Sequence, residues 1–508
     1  MVAIDKARIA KNTFFLYSRM LILMGISLFT VKIVLNALGA VDYGIYNVVG
    51  GVVFLFSFVY STFTNAAQRF FSYEIGNKNA DKLKKIFSLH IILFLWLSLV
   101  IVLLAETIGI WFINTQLVIP AERLCAANWV FQFSIFAFIL QLLSVPYNAL
   151  IISYEKMHAF AYISIVEGGC KFLVAILLLH SGDDKLIIYS ILMFVISVLI
   201  TFSYYIYCRM KFKESNYSFY WDKEQAFKIV TFSGWHFLGS VSSIFKGQGI
   251  NILLNMFFNP VVNAARAIAF QVDGAIMSLS NNFFLATRPQ VYMLYGAGKV
   301  HEMNDLIIQS TRYCFYLLLF FAIPLFLEAS YILHLWLENV PDYTVLFLQL
   351  VIVCSLVDST NSPAIACALA TNKIRTFELV QGGLTIMNLP ISYIFLKQGC
   401  SPQVTLYVSL FISLLILVIR TIVLNKLTGL SIIKYFRAVA GMFIVAALSF
   451  ISPFIVKLFS SDGSIVSFLL VGGSSCISFI ICVWNLGLSK AERYKIGASI
   501  KSRINKRR

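Results

Sequence analysis

Fourteen stretches of this sequence stay apolar for about 20 residues or more, and only short polar connections part them. An α-helix rises about 1.5 Å per residue, so a stretch of that length crosses the roughly 30 Å hydrocarbon core of a bilayer. The stretches lie near 13–36, 45–67, 88–112, 123–146, 157–180, 185–208, 229–257, 261–286, 313–337, 343–369, 376–396, 402–425, 434–458 and 464–486. Only 12% of the 508 residues are charged, against about 25% in a soluble domain. An all-α polytopic membrane protein with about 14 transmembrane helices is therefore expected. The connections carry no Pro- or Ser-rich linker, so no separate soluble domain is expected either.

The net charge of +17 invites a nucleic-acid reading, but the basic residues do not gather on one polar domain. They sit in the connections, which is the positive-inside pattern. With a cytoplasmic N-terminus, about 31 of the 40 Lys and Arg fall on the cytoplasmic side. Arg123, Lys185, Arg266, Lys397 and Lys457 fall outside, and Arg19, Lys32, Lys171 and Lys246 within spans. An even span count returns the C-terminus to the cytoplasm, where residues 487–508 form a basic tail suited to acidic lipid headgroups. Lys6, Arg8 and Lys11 resemble the start of a signal peptide, but the apolar run after them is too long and no small-residue cleavage site follows. The nine cysteines show no CxxC pair and no metal spacing. No GxxxxGK[ST], HExxH or GxSxG occurs, so neither a catalytic residue nor a cofactor is expected.

The chain also repeats itself. From Leu38 it reads as a short loop to Gly44, a long apolar run, Asn65-Ala66-Ala67-Gln68-Arg69, then a Gly76-Asn77-Lys78 turn. A shift of 220 residues brings back the layout: Phe258-Asn259-Pro260, an apolar run, Ala286-Thr287-Arg288-Pro289, and Gly296 in place of Gly76. Further echoes pair Ser144-Val145-Pro146 with Asn361-Ser362-Pro363, Glu167-Gly168-Gly169 with Gln381-Gly382-Gly383, and Glu106 with Glu328. The expected division is a six-helix bundle at 1–208, a cytoplasmic linker at 209–228, a second bundle at 229–425, extra helices 13 and 14 at 426–486, and the tail. Repeats over membrane-length helices are a known construction of secondary transporters, with the substrate path between them.

Ionisable residues inside spans are costly, so one that persists usually faces a cavity or a partner. Lys246 sits near the middle of the seventh span, and Arg19 about two turns inside the first. Lys32 lies one turn from the outer end and reads first as an interface anchor. Glu167 and Lys171 stand i,i+4 with Glu first, the favourable order for a helix pair. Asp273 and Asp358 are central acids that could relay a proton, hold Na⁺, or pair with a base such as Lys246.

Two segments, Leu38-Gly39-Ala40-Val41-Asp42-Tyr43-Gly44-Ile45-Tyr46 and Ile332-Leu333-His334-Leu335-Trp336-Leu337, together with the six-plus-six-plus-two layout, resemble the multidrug/oligosaccharidyl-lipid/polysaccharide exporter superfamily. Within it the chain is most similar to bacterial O-antigen and capsule flippases. The resemblance implies a non-enzymatic carrier of undecaprenyl-pyrophosphate-linked oligosaccharide in the bacterial inner membrane, with both termini cytoplasmic. It implies coupling to H⁺, Na⁺ or the membrane potential, and membrane lipids and polysaccharide polymerase machinery as partners. Arg19 matches the first-helix arginine of the related lipid II flippases, and Asp42 their acid just past that helix; their wider set of cavity arginines is missing, which counts against lipid II itself. On this reading Lys246, Arg19, Lys171 and Lys32 are substrate-binding bases, and Asp42, Glu167, Asp273 and Asp358 coupling or gating candidates. A cation-coupled drug antiporter of the same fold and a membrane glycan polymerase or ligase are the alternatives; short outer connections speak against the last.

Overall fold

The computed structural model describes residues 6–494 apart from 55–56, 116, 118, 183, 259, 338–339, 372, 461–463 and 490–491. Most of the basic tail therefore lies outside the described residues. The elements are α1 (Lys6–Phe54), α2 (Ser57–Gly76), α3 (Ala80–Leu104), α4 (Ile110–Thr115), α5 (Leu124–Ser153), α6 (Met157–Leu179) and α7 (Lys185–Lys211). They continue as α8 (Lys223–Phe257), α9 (Pro260–Gly296), α10 (Val300–Leu327), α11 (Ala329–Trp336), α12 (Thr344–Asp358) and α13 (Asn361–Ala370). The last four are α14 (Arg375–Lys397), α15 (Val404–Thr428), α16 (Ile432–Phe459) and α17 (Ile465–Cys482). No strand occurs among the described residues.

Lipid offers the backbone no hydrogen-bond partner, and a helix satisfies its own N–H and C=O groups. The side chains agree: Leu95, Trp96, Leu103, Phe202, Phe411 and Leu469 stand more than half exposed, an apolar surface no soluble monomer presents. Eleven helical segments among the described residues are long and apolar enough to cross a membrane. Three further long helices, α2, α8 and α9, correspond to the second, seventh and eighth expected spans and fall short on composition. They carry Asn65, Gln68, Arg69 and Glu74; Lys228, His236 and Lys246; and Arg266, Asp273 and Arg288.

One expectation is overturned at the first connection. The loop placed at Leu38–Gly44 is helical, and α1 runs through it with a break at Gly39 alone (φ 76°, ψ 170°). That φ is open to glycine and costly for a side chain, so a single residue ends the first span and starts the second.

The chain forms two compact units, residues 1–241 with 285–300, and residues 242–284 with 301–508. The boundary passes through α8 and α9, each of which contributes to both. In unit 1, α5 packs against α7 and α2, and α1 against α6; Phe71, Phe87, Phe131 and Leu150 are almost fully buried there. In unit 2, α14 packs on α15 and α16 on α17, and Val351, Ile352, Leu333 and Leu254 centre its core. Lys457 anchors α16 to the buried Glu328 carboxylate at 3.0 Å, and Arg312 with Tyr313 holds Glu492 from beyond α17.

The 220-residue repeat is visible in the hydrogen bonds. α2 ends with bonds from Asn77 to Tyr73, Lys78 to Ile75 and Asn79 to Glu74, and α9 ends with Ala297 to Met293, Gly298 to Tyr295 and Lys299 to Leu294. Each pair differs by 220. Lys78 and Gly298 both take positive φ, 56° and 73°, as a helix-ending αL residue does. Within unit 1 the two ends press together reciprocally. A Cβ on Gly76 would lie 2.1 Å from the Met293 carbonyl oxygen, and one on Gly296 would lie 2.2 Å from that of Tyr73. Only glycine allows this approach.

Gly76→Ala and Gly296→Ala should each cost about 1–3 kcal/mol through overpacking, read as a lower thermal midpoint in detergent. Gly234→Ala, on a helix face with nothing within 4 Å of its Cβ, should leave the midpoint unchanged; equal losses at all three would remove the close-approach explanation.

Candidate functional site

A cavity of about 630 Å³ lies inside unit 1, walled by α1, α2, α5, α6 and α7. Helix periodicity brings its charged groups together. On α6, Ser164, Glu167 and Lys171 follow at three and four residues and so share a face. Lys171 Nζ reaches Glu167 Oε1 at 2.6 Å. Across from them on α1, the Arg19 guanidinium lies 4.3 Å from the centre of the Phe160 ring. Its Nε is buried without a hydrogen-bond partner among the described residues. Tyr60, Tyr204, Ser190, Thr201, Gln141 and Asn148 complete a polar lining. Glu167 offsets Lys171, so Arg19 leaves the wall with a net positive charge, and its guanidinium is shaped to receive a paired anionic oxygen.

Thus Arg19, Glu167 and Lys171 come together in one place. Lys32 is exposed on α1 and does not line this cavity. Asp42, just past the Gly39 break, is engaged elsewhere: Arg123 Nε donates to its Oδ1 at 2.8 Å. The same guanidinium donates to both oxygens of Asp184, at 2.8 and 3.0 Å. Asp184 also caps α7 by accepting from Leu186 N at 3.1 Å. Partial burial works to raise the Asp184 carboxyl, but its Arg123 bonds outweigh that and hold it below the usual carboxylate range. Asp42 therefore belongs to a clamp joining the starts of three helical segments, and not to the cavity.

In unit 2, Lys246 on α8, Asp273 on α9 and Asp358 on α12 lie within electrostatic reach of Cys354. Asp273 is 9% exposed; it pairs with the Ser355 hydroxyl, and its Oδ1 has no partner among the described residues. Asp358 accepts from Asn361 Nδ2 at 2.9 Å. That bond spans the break between α12 and α13, where Pro363 in the next turn has no N–H to give.

Arg420 from α15 closes the same break by bonding Asn361 and Thr360, and the Tyr435 hydroxyl donates to the Thr360 carbonyl at 3.3 Å. Counting charges by side of the membrane groups Arg420 with the cytoplasmic bases because it lies near a span end. Its setting, Val418-Ile419-Arg420-Thr421-Ile422-Val423, carries the missed signal, an arginine with apolar neighbours on both sides. Arg266 is similar: expected outside, it is buried against Phe270 at 4.3 Å and bonds Asn251. Arg288 donates to Asn65 Oδ1 at 2.5 Å inside unit 1, and Arg69 lies over Phe70 and Tyr73.

No family model matches the sequence, and no curated protein matches it. Solved structures do. A MATE transporter in a bent conformation gives a TM-score of 0.70 at 12% identity, over 83% of this chain and 96% of that one. A multidrug resistance MATE family transporter of the MOP superfamily, in an outward-facing conformation, gives 0.68 at 12% identity, over 82% and 96%. A MOP superfamily transporter from Pyrococcus furiosus, described as having a binding pocket of reverse polarity that suggests a different function, gives 0.65 at 12% identity, over 82% and 96%. Identities this low speak to the fold alone, and that fold, an all-α polytopic membrane protein, is the one shared by MATE transporters of the MOP superfamily.

Proposed function

We propose that this chain carries an anionic, lipid-linked oligosaccharide across a bacterial inner membrane by alternating access, the undecaprenyl-pyrophosphate-linked class being its cargo. One observation carries the reading: the first-helix charge facing the unit 1 cavity is a base, Arg19, whose buried Nε has no partner among the described residues. A pyrophosphate brings negative charge into a site of low dielectric, where a fixed guanidinium is the favourable counter-group. The Pyrococcus protein of the same fold is described as having a pocket of reverse polarity that suggests a different function, so the fold takes pockets of more than one polarity. The protein acts here as a carrier and not as an enzyme, with bundles at 1–208 and 229–425 as its moving parts. H⁺, Na⁺ or the membrane potential supplies the drive, and membrane lipids and polysaccharide polymerase machinery are its neighbours.

The second reading, a cation-coupled multidrug antiporter, draws on unit 2. Asp273, buried with an Oδ1 that has no partner among the described residues, and the nearby Asp358 are groups suited to a cation or a proton. Lys246 stands in the same neighbourhood and offsets one of those charges, which favours the anionic cargo.

Arg19→Ala should lower surface glycan at least about tenfold, the loss of one charge-assisted phosphate contact, and Lys246→Ala should lower it by leaving Asp273 and Asp358 without their counter-charge, with the protein still folded in the membrane; Lys246→Arg should retain export. Normal glycan in both alanine variants, with raised drug sensitivity in Asp358→Asn, would move the assignment to the antiporter.

Orientation has its own test. In a background free of the nine cysteines, an impermeant thiol reagent should label Ser181→Cys from outside and Lys213→Cys only after permeabilisation. The opposite labelling would reverse the direction of transport.

A further inference from the structure

The ionisable residues of the unit 1 cavity also wall a second space. It measures about 310 Å³ and runs along the seam between α1 and α6, past Leu23, Ile26, Thr30 and Gly168. Arg19, Glu167 and Lys171 line both spaces, so they form the partition between them. Beyond that partition the seam changes character. Ser27, Thr30 and Ser164 line it too, but the Thr30 and Ser164 hydroxyls are spent on the Ile26 and Phe160 carbonyls at 2.8 and 2.9 Å, which leaves Leu23 and Ile26 as its apolar wall. Gly168 leaves room in the seam for the Leu23 side chain, since a Cβ there would lie 2.5 Å from Leu23 Cδ2. Apolar side chains stand exposed on both helices beside it, Leu21 and Ile22 on α1 and Val166 and Leu173 on α6.

We infer that this seam seats the hydrocarbon chain of a lipid phosphate while its phosphate rests against Arg19 at the partition. The inference rests on the reading of the cargo as anionic and lipid-borne, and adds where the lipid goes. A lipid-linked glycan is a polar head and a long apolar chain, and one compartment cannot suit both. The inner cavity mixes Phe133, Phe138, Met193 and Phe194 with hydroxyls, amides and charges, so a chain drawn into it would also meet polar groups. The seam offers the chain apolar walls, with a guanidinium where the chain ends and the phosphate begins. Lys171, held by Glu167 at 2.6 Å, is the second base within reach of that point.

A second apolar groove, about 360 Å³ between α3, α5 and α7 and lined by Phe94, Leu95, Leu143 and Phe202, offers hydrocarbon contact as well. Among the described residues no charged side chain lines it. It suits a bulk lipid chain of any kind, whereas the seam suits an amphiphile with an anionic head.

The test uses the full chain in nanodiscs, with a photo-reactive benzoylphenylalanine in place of Ile26 or, in a separate protein, in place of Leu143, irradiated with undecaprenyl phosphate. The expected result is strong cross-linking at position 26, weak cross-linking at 143, and loss of about tenfold of the position-26 signal in Arg19→Ala with partial recovery in Arg19→Lys. Excess inorganic pyrophosphate should compete poorly, because it lacks the chain. Size-exclusion profiles of the variants show whether each is folded, and the Lys variant keeps the test decisive should the Ala variant misfold. Preferential cross-linking at 143 would overturn the seam and leave a lipid-borne cargo standing. Equal cross-linking at 26 by undecaprenol, which has no phosphate, would overturn recognition of the head. Absence of undecaprenyl phosphate from both sites would overturn the seam and the cargo reading together.

Discussion

Hydrocarbon offers a backbone nothing to bond to, and the whole molecule follows from that. Every segment that meets lipid must close its own hydrogen bonds, so the described chain is helix with short turns. The exceptions are few, and each is repaired. Gly39 breaks α1 at one residue and the helix resumes at once. At Ser359 and Thr360 the chain leaves α12; the Tyr435 hydroxyl bonds the Thr360 carbonyl there, and Arg420 holds the Thr360 hydroxyl.

The same constraint sorts the side chains. Apolar residues can stand exposed on the outside because lipid is their solvent, as Trp96 and Leu469 do. Polar residues are driven inward, where they either pair or line a cavity. Of the three long helices that fall short on composition, α2 buries Gln68, Arg69 and Glu74 and α9 buries Arg266 and Asp273, so weak hydropathy in these two marks interior position and not absence from the membrane. Among interior charges, partners decide the role. Glu328 and Lys457 satisfy each other and anchor helices; Arg19 stacks on Phe160 and keeps donors to spare.

Much of the fold was legible in the sequence because its signals are periodic. Apolar length gave the span positions, and the Gly76 and Gly296 turns repeat at a shift that their hydrogen bonds obey residue by residue. Gly39 was misread as part of a loop, since glycine beside Asp42 and Gly44 has the composition of a turn while the torsions of one residue suffice. The site was legible only in pieces. Glu167 and Lys171 declare themselves by spacing, but nothing local places Arg19 beside them, because α1 and α6 meet through tertiary packing. Arg420 and Arg266 escaped for the opposite reason: position near a span end looks like an interface, and only the apolar residues around them tell of burial.

Gly39 also sets a mechanical scale for α1. Twenty residues separate it from Arg19, about 30 Å of helix at 1.5 Å per residue. The part of α1 beyond the break is held by Asp42 through Arg123 to Asp184, so that end is the mount and the part of α1 before Gly39 the arm. A swing of about 10° at the break carries Arg19 through about 5 Å, by the same helix geometry. That exceeds the reach of a hydrogen bond. Small torsional changes at one glycine are thus amplified into making or losing a contact at the partition, while the ion pairs at the mount need not move.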